Sequence, residues 1–175
     1  INSKALFVAA NDFNTVSLWM LPVNGAAKKL NTSNLTITGA YWYNYTVGKN
    51  NAIAMIASTA QSPQELYFMA NPESRPKQLT NFHQEMKLVQ LGKVETFSWK
   101  SDEFTPNGIL TFPPDFDPAK KYPLVVEPHG GPRSTSKESF NSSTQLKAAH
   151  GYIVFQPNYR GSDNMGYHFS ESING

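Results

Sequence analysis

The chain has 175 residues, room for one domain or parts of two, and its 39% hydrophobic and 13% aromatic content is that of a packed globular chain rather than a disordered one. Its net charge is +2, with basic residues scattered and doubled only at Lys28-Lys29 and Lys120-Lys121, so no clustered basic face for nucleic acid is expected. No apolar run reaches membrane-spanning length, and the lack of cysteine excludes a disulfide framework and a thiolate metal site.

Absence of cysteine suits a periplasmic or secreted protein. The sequence opens at Ile1 without a signal pattern and ends at Gly175 just after a helix-like start, so it reads as an internal piece of a longer chain. In chain order, 5–10 (ALFVAA) reads as a strand, 11–14 as a turn and 16–23 (VSLWMLPV) as a second strand. Asn24-Gly25 is a hairpin-turn dipeptide, and Lys28-Lys29-Leu30 leads out. The pattern returns at 54–59, 61–64 and 65–72, closed by Lys77-Gln78-Leu79. Leu30 recurs at Leu79 and Leu18 at Tyr67, an offset of 49 residues. An aromatic strand at 37–45 lies between the copies.

A repeat of roughly 40–50 residues carrying several short strands is the pattern of β-propeller blades, each burying its faces against its neighbours. A β-sandwich with accidental similarity is the alternative. Trp19, Trp42, Tyr43, Tyr45, Tyr67 and Phe68 then read as core between blades. His83 reads as a solvated loop histidine, with no partner at metal-ligand spacing.

The blade pattern stops near 88–92. Strands follow at 94–99 and 107–112, separated by a polar turn at 101–108 and followed by a proline-stiffened connection at 113–118. The run Leu124-Val125-Val126 lacks alternation and is expected to be buried on both faces of a parallel sheet. It ends in His129-Gly130-Gly131-Pro132. A helix over 139–150, with Phe140, Leu146 and Ala149 as its apolar positions, is expected to stop at Gly151, and 152–156 (YIVFQ) is a second buried strand. Strand, helix, parallel strand is a right-handed βαβ unit. Behind two leading strands it predicts the opening of an α/β-hydrolase sheet. The expected organisation is therefore propeller blades over 1–91 and the start of an α/β-hydrolase domain over 92–175. A nucleotide-binding doubly wound fold is disfavoured, because neither a Gly-x-Gly-x-x-Gly nor a Gly-Lys-Ser/Thr occurs.

In α/β-hydrolases, a His-Gly-Gly loop after the third strand supplies one N–H of the oxyanion hole, where acyl transfer builds negative charge on a carbonyl oxygen. Gly131 is the expected donor and Gly130 the residue that permits the turn. His129 is expected to anchor the loop by hydrogen bonding rather than to act as a base, since the catalytic histidine of this fold comes last in the chain.

Three stretches, 116–123 (FDPAKKYP), 129–132 (HGGP) and 157–162 (PNYRGS), together resemble the prolyl oligopeptidase (S9) family of serine peptidases, in its acylaminoacyl-peptidase and dipeptidyl-peptidase-like branch. The resemblance covers most of 94–175. It implies a propeller capping a hydrolase domain and restricting entry to short peptides. It further implies Gly131 as oxyanion donor, with Pro132 closing the loop and Arg160 ordering it; a salt bridge at the sheet edge is the other reading of Arg160. The sequence departs from relatives after Pro132, where Arg133-Ser134-Thr135 stands in place of the aromatic or histidine often found there. No Gly-x-Ser-x-Gly occurs, so the nucleophile, acid and histidine of a triad are expected outside these residues.

The function implied is that of a serine-type peptidase acting on short peptides through an acyl-enzyme, with no cofactor or metal, and with this stretch inactive by itself. A carboxylesterase of the same fold is one alternative, although Pro132 replaces its usual third glycine. A non-catalytic propeller binding protein is the other. Two blades cannot close a ring and an unpaired strand edge recruits other chains, so the isolated stretch is expected to aggregate.

Overall fold

The computed structural model describes residues 4–39, 44–131 and 133–174. β1 (Ala5–Asp12) and β2 (Thr15–Pro22) pair antiparallel along their whole length. The turn between them is only Phe13-Asn14, with Phe13 at φ +54°. After Gly25, at φ +138°, β3 (Lys28–Lys29) joins the far side of β2. The second sheet contains β4 (Thr36–Ile37), β5 (Tyr45–Val47), β6 (Ile53–Thr59), β7 (Ser62–Met69) and β8 (Lys77–Gln78), ordered β4-β6-β7-β8 with β5 also on β6.

The single strand expected at 37–45 is thus two short ones. The Asn44 N–H donates to the Thr38 carbonyl (3.0 Å), and both residues bond to the Ile56 backbone, so the ladder on β6 passes from Thr38 to Asn44. Trp42 and Tyr43 lie outside the described residues.

The repeat is present as two meanders, but its offset is not constant. The two hairpin turns lie 47 residues apart and the two outer strands 49. Leu30 N–H bonds the Leu18 carbonyl while Leu79 N–H bonds that of Leu66, so Leu66, and not Tyr67, is the backbone counterpart of Leu18. One inserted residue sits in β7. The turn expected at 61–64 is confined to Ala60-Gln61, and Pro63 lies inside the strand. The register slips there, between Ala57 and Thr59 of the partner strand. A bulge is where a strand tolerates a residue without an N–H.

The two sheets bury one shared core. Val16, Leu18, Leu30 and Leu35 meet Ile37, Ile53, Met55, Ala57, Tyr67 and Met69. Tyr45 packs against this core and donates its hydroxyl to the Phe7 carbonyl (2.7 Å). Alternation leaves Leu6 and Val8 of β1, and Ile56 and Phe68 of β6 and β7, exposed on the outer faces. Among the described residues these sheets form no closed ring. His83 is half exposed, yet it has a partner. Its N–H and its Nδ1 lie 3.0 and 3.3 Å from Oε1 of Glu65, which is 3% exposed. Burial opposes ionisation of Glu65, but bonds from the Thr80 hydroxyl and the His83 and Phe82 backbone outweigh it and hold the carboxyl at about 2.

The remaining chain forms a mixed sheet. β9 (Val94–Ser98) and β10 (Asn107–Thr111) are antiparallel, β11 (Leu124–Val126) precedes α1 (Ser142–Ala149), and β12 (Ile153–Asn158) returns parallel to β11. The order β11-β12-β10-β9 puts β12 between the parallel and antiparallel pairs. β11 is an edge strand, which corrects the expectation of full burial: Leu124 and Val126 are more than half exposed, because no described element covers their face. Phe97, Trp99 and Phe155 form a small aromatic cluster on that same side.

α1 is shorter than expected, starting after Asn141, whose side chain caps the Thr144 N–H (3.1 Å). Gly151 ends it at φ +87°. The helix buries Thr144, Gln145 and Ala148 rather than Leu146, which is 62% exposed. Phe104, in the loop read as polar, is buried against Phe169 of α2 (Tyr167–Glu171).

Gly92 joins the two regions. Its N–H donates to the Gln145 carboxamide (2.8 Å), and its carbonyl accepts from Gln145 (3.1 Å) and from Gln61 of the β6–β7 turn (2.8 Å). A Cβ here would lie 1.9 Å from the Phe112 carbonyl oxygen, so only glycine fits. The β1–β2 turn also reaches across: Phe13 N–H bonds Asn164, and the Asn14 carbonyl accepts from Glu138 N–H (2.7 Å).

Candidate active-site loop

The segment His129-Gly130-Gly131 leaves the carboxyl end of β11, the edge of an open α/β sheet at which ligands bind. The loop is fastened through its histidine. The His129 ring stacks on Tyr159 (4.7 Å between centroids, 20° between planes), and the Tyr159 hydroxyl donates to the His129 carbonyl (2.5 Å). His129 Nε2 lies 2.9 Å from the Ser162 hydroxyl, and Nδ1 lies 3.0 Å from the Gly130 carbonyl, which can only accept. Nδ1 therefore carries a proton.

Ser162 beside His129 has the appearance of a nucleophile and base, but it is fully buried. Its hydroxyl is also 2.6 Å from the Tyr159 carbonyl, so it is spent on fixing the loop.

The two glycines differ. Gly131 sits at φ +137°, and a Cβ on it would lie 2.8 Å from the Arg133 nitrogen. Gly130 has no left-handed φ, and a Cβ on it would meet nothing within 4 Å. The residue that makes the turn is therefore Gly131 and not Gly130, and the crowding is with the chain itself. Gly131 is exposed, and among the described residues no acceptor takes its N–H. Pro132 lies outside the described residues.

Past the loop, Asn158 at the end of β12 clamps the backbone. Its Oδ1 accepts from the Ser136 N–H (2.6 Å), and its Nδ2 donates to the Ser136 carbonyl (3.0 Å) and to Asn107 Oδ1 (2.9 Å). Asn164 donates to the same Asn107 oxygen (3.0 Å). Asn158 is wholly buried, so these bonds satisfy its amide without water. Thr135 bonds Asp163, and Arg133 pairs with Glu171. Arg160 lies 2.7 Å from Asp102 in the β9–β10 loop, with both side chains largely exposed. Asn158, Tyr159 and Ser162 stood in the recognised 157–162 stretch, but nothing in their order assigned them these bonds.

Between this loop and the second sheet lies a cavity of about 430 Å³. One wall is His129, Thr135, Ser136 and Lys137; the other is Thr36–Gly39 and Gln64. Burial pushes the Lys137 ammonium down from its usual range, with Asp163 acting in the opposite sense.

Comparison with known proteins agrees with this geometry. The profile of the prolyl oligopeptidase family matches residues 138–175. Dipeptidyl-peptidase 5 of Porphyromonas gingivalis is 30% identical over 132 residues, which is 73% of this chain and 19% of that protein. Dipeptidyl-peptidase 5 of Aspergillus fumigatus is 27% identical over 98% of this chain and 24% of its own length. Among solved structures, acylaminoacyl peptidase of Pyrococcus horikoshii superposes with a TM-score of 0.81 at 23% identity, over 99% of this chain and 26% of that one. An acylaminoacyl peptidase in complex with Z-Gly-Gly-Phe-chloromethyl ketone gives 0.82 at 22% identity, over 99% of this chain and 26% of that chain. The chain belongs to the prolyl oligopeptidase (S9) peptidase family. It spans about a quarter or less of the length of the curated relatives it matches.

Proposed function

We propose that the protein carrying this sequence is a serine peptidase that cleaves short peptides through an acyl-enzyme, with Gly131 giving one backbone N–H to the oxyanion. The observation that carries this reading is the N–H of the exposed Gly131, which no acceptor among the described residues takes, past the carboxyl end of β11 on a loop fastened by His129, Tyr159 and Ser162. A preorganised donor of this kind contributes about 3 kcal/mol to lowering the barrier of acyl transfer. The names of the relatives support a peptide substrate. The parallel β11–α1–β12 unit supports an α/β-hydrolase domain over 92–175. The two meanders, with apolar residues on their outer faces, support propeller blades over 1–91 whose next neighbours lie elsewhere in the protein. Nucleophile, acid and catalytic histidine are then supplied outside these residues, and this stretch alone does not cleave.

The full-length protein is expected to be labelled by a fluorophosphonate probe and to hydrolyse peptide anilides in preference to p-nitrophenyl esters. Absence of labelling would sink the proposal.

A further inference from the structure

We infer that His129 is a doubly protonated imidazolium, held in that state by Ser162, and that its charge strengthens the proposed oxyanion donor at Gly131. The Tyr159 carbonyl can only accept, and the Ser162 hydroxyl lies 2.6 Å from it, so the one hydroxyl proton is committed to that contact. Two oxygens this close with no proton between them would repel. The Ser162 oxygen, 2.9 Å from Nε2, is then left as an acceptor, and Nε2 brings the proton to this bond. At the other nitrogen, Nδ1 holds a proton for the Gly130 carbonyl at 3.0 Å. Both ring nitrogens are therefore donors, a state that only the cation has.

The stacking supports the charge independently. The His129 ring lies 4.7 Å from the Tyr159 ring, 20° from parallel. A cation over a tyrosine face within about 6 Å is attracted by the ring quadrupole. The ring is also only partly buried, so water still reaches it and the charge is not stranded in an apolar interior.

The consequence falls on Gly131. The Gly130 carbonyl and the Gly131 N–H belong to one planar peptide unit, and in the trans form they point in opposite directions. A bond from the imidazolium to that carbonyl fixes the plane and turns the N–H away from the ring. Being charge-assisted, it also polarises the unit and makes the N–H at its far end a stronger donor. The gain grows as negative charge develops on the acceptor, so it favours the transition state over the bound substrate. His129 and Ser162 are thus positioning residues that act through Gly131. This catalytic part rests on the reading of Gly131 as oxyanion donor, whereas the charge of His129 stands on the hydrogen bonds alone.

The test is neutron diffraction from deuterium-exchanged crystals of the full-length protein near pH 7.5, where an isolated imidazole is largely neutral. Deuterons are expected on both Nδ1 and Nε2 of His129, with the Ser162 deuteron directed at the Tyr159 carbonyl. A bare Nε2 or Nδ1, or a Ser162 deuteron directed at the ring, overturns the assignment. In the full-length enzyme, Ser162→Ala leaves a neutral ring able to hold the Gly130 carbonyl through Nδ1. It is expected to lower kcat on a peptide anilide about tenfold with KM little changed. An unchanged kcat, or a loss carried by KM, overturns the catalytic link. Fluorophosphonate labelling of the wild type reads the peptidase proposal separately: both deuterons without labelling would leave the charge standing and the peptidase reading failed.

Discussion

The two regions of this molecule are held together by different means. The described residues of 5–78 make two antiparallel sheets whose facing side chains close over a shared apolar core. Among the described residues, 94–174 have fewer buried apolar side chains, Phe104, Ile109, Ala148, Val154 and Phe169 among them, and rely on amide clamps at Asn158, Gln145 and Asn164. Apolar burial is non-directional and tolerates relaxation, whereas a buried amide with fixed partners sets backbone positions to within a hydrogen-bond length. The first region therefore behaves as a scaffold. The second fixes a loop where geometry matters.

The comparison can be broken at its strongest point first. Leu18→Ala in the shared core is expected to cost about 3 kcal/mol, read as a lowered denaturant midpoint. Almost as large is the contrast between the glycines of the loop. Gly131→Ala, forced against the Arg133 nitrogen, is expected to lower kcat of the full-length enzyme by about 100-fold, whereas Gly130→Ala, facing open space, should change it little. Equal losses in both variants would remove Gly131 from its proposed role.

Asn158→Leu leaves the Ser136 N–H and carbonyl without partners and is expected to cost about 2 kcal/mol of stability, with kcat falling more than KM rises. For Glu65, the folded carboxyl is depressed from 4.5 to about 2, so its contribution is complete above pH 4.5 and is lost as pH falls toward 2. The wild type should thus lose stability over that window more steeply than Glu65→Gln. At the small end, a double-mutant cycle on Arg160 and Asp102 should return about 0.5 kcal/mol or less, the usual worth of an exposed pair.

Much of this was legible in the chain. Runs of apolar residues punctuated by Asn24-Gly25 and Gly151 located strands, a hairpin and a helix end, because those signals act over a few residues. The His129-Gly130-Gly131 loop was legible for the same reason, as was the absence of a nucleophile elbow among these residues. Less legible was anything set by a neighbour distant in sequence. Pro63 read as a turn because its bulge is defined only by the register against β6. Glu65 read as an ordinary strand residue because its partners arrive from the 80–83 loop. The run at 124–126 read as buried because composition does not reveal which strand stands at a sheet edge.

The sequence by itself determined the alternation of short strands, the βαβ unit and the family, since each rests on local pattern and residue identity. Only the tertiary structure decided that Gly131 carries the left-handed turn, that Ser162 is tied to His129 and not poised to attack, and that Lys137 lines a cavity together with Thr36 and Gln64. The last two depend on side chains brought together across 30 residues or more, a property of the packed chain, and the first on which of two adjacent glycines the packed loop turns at.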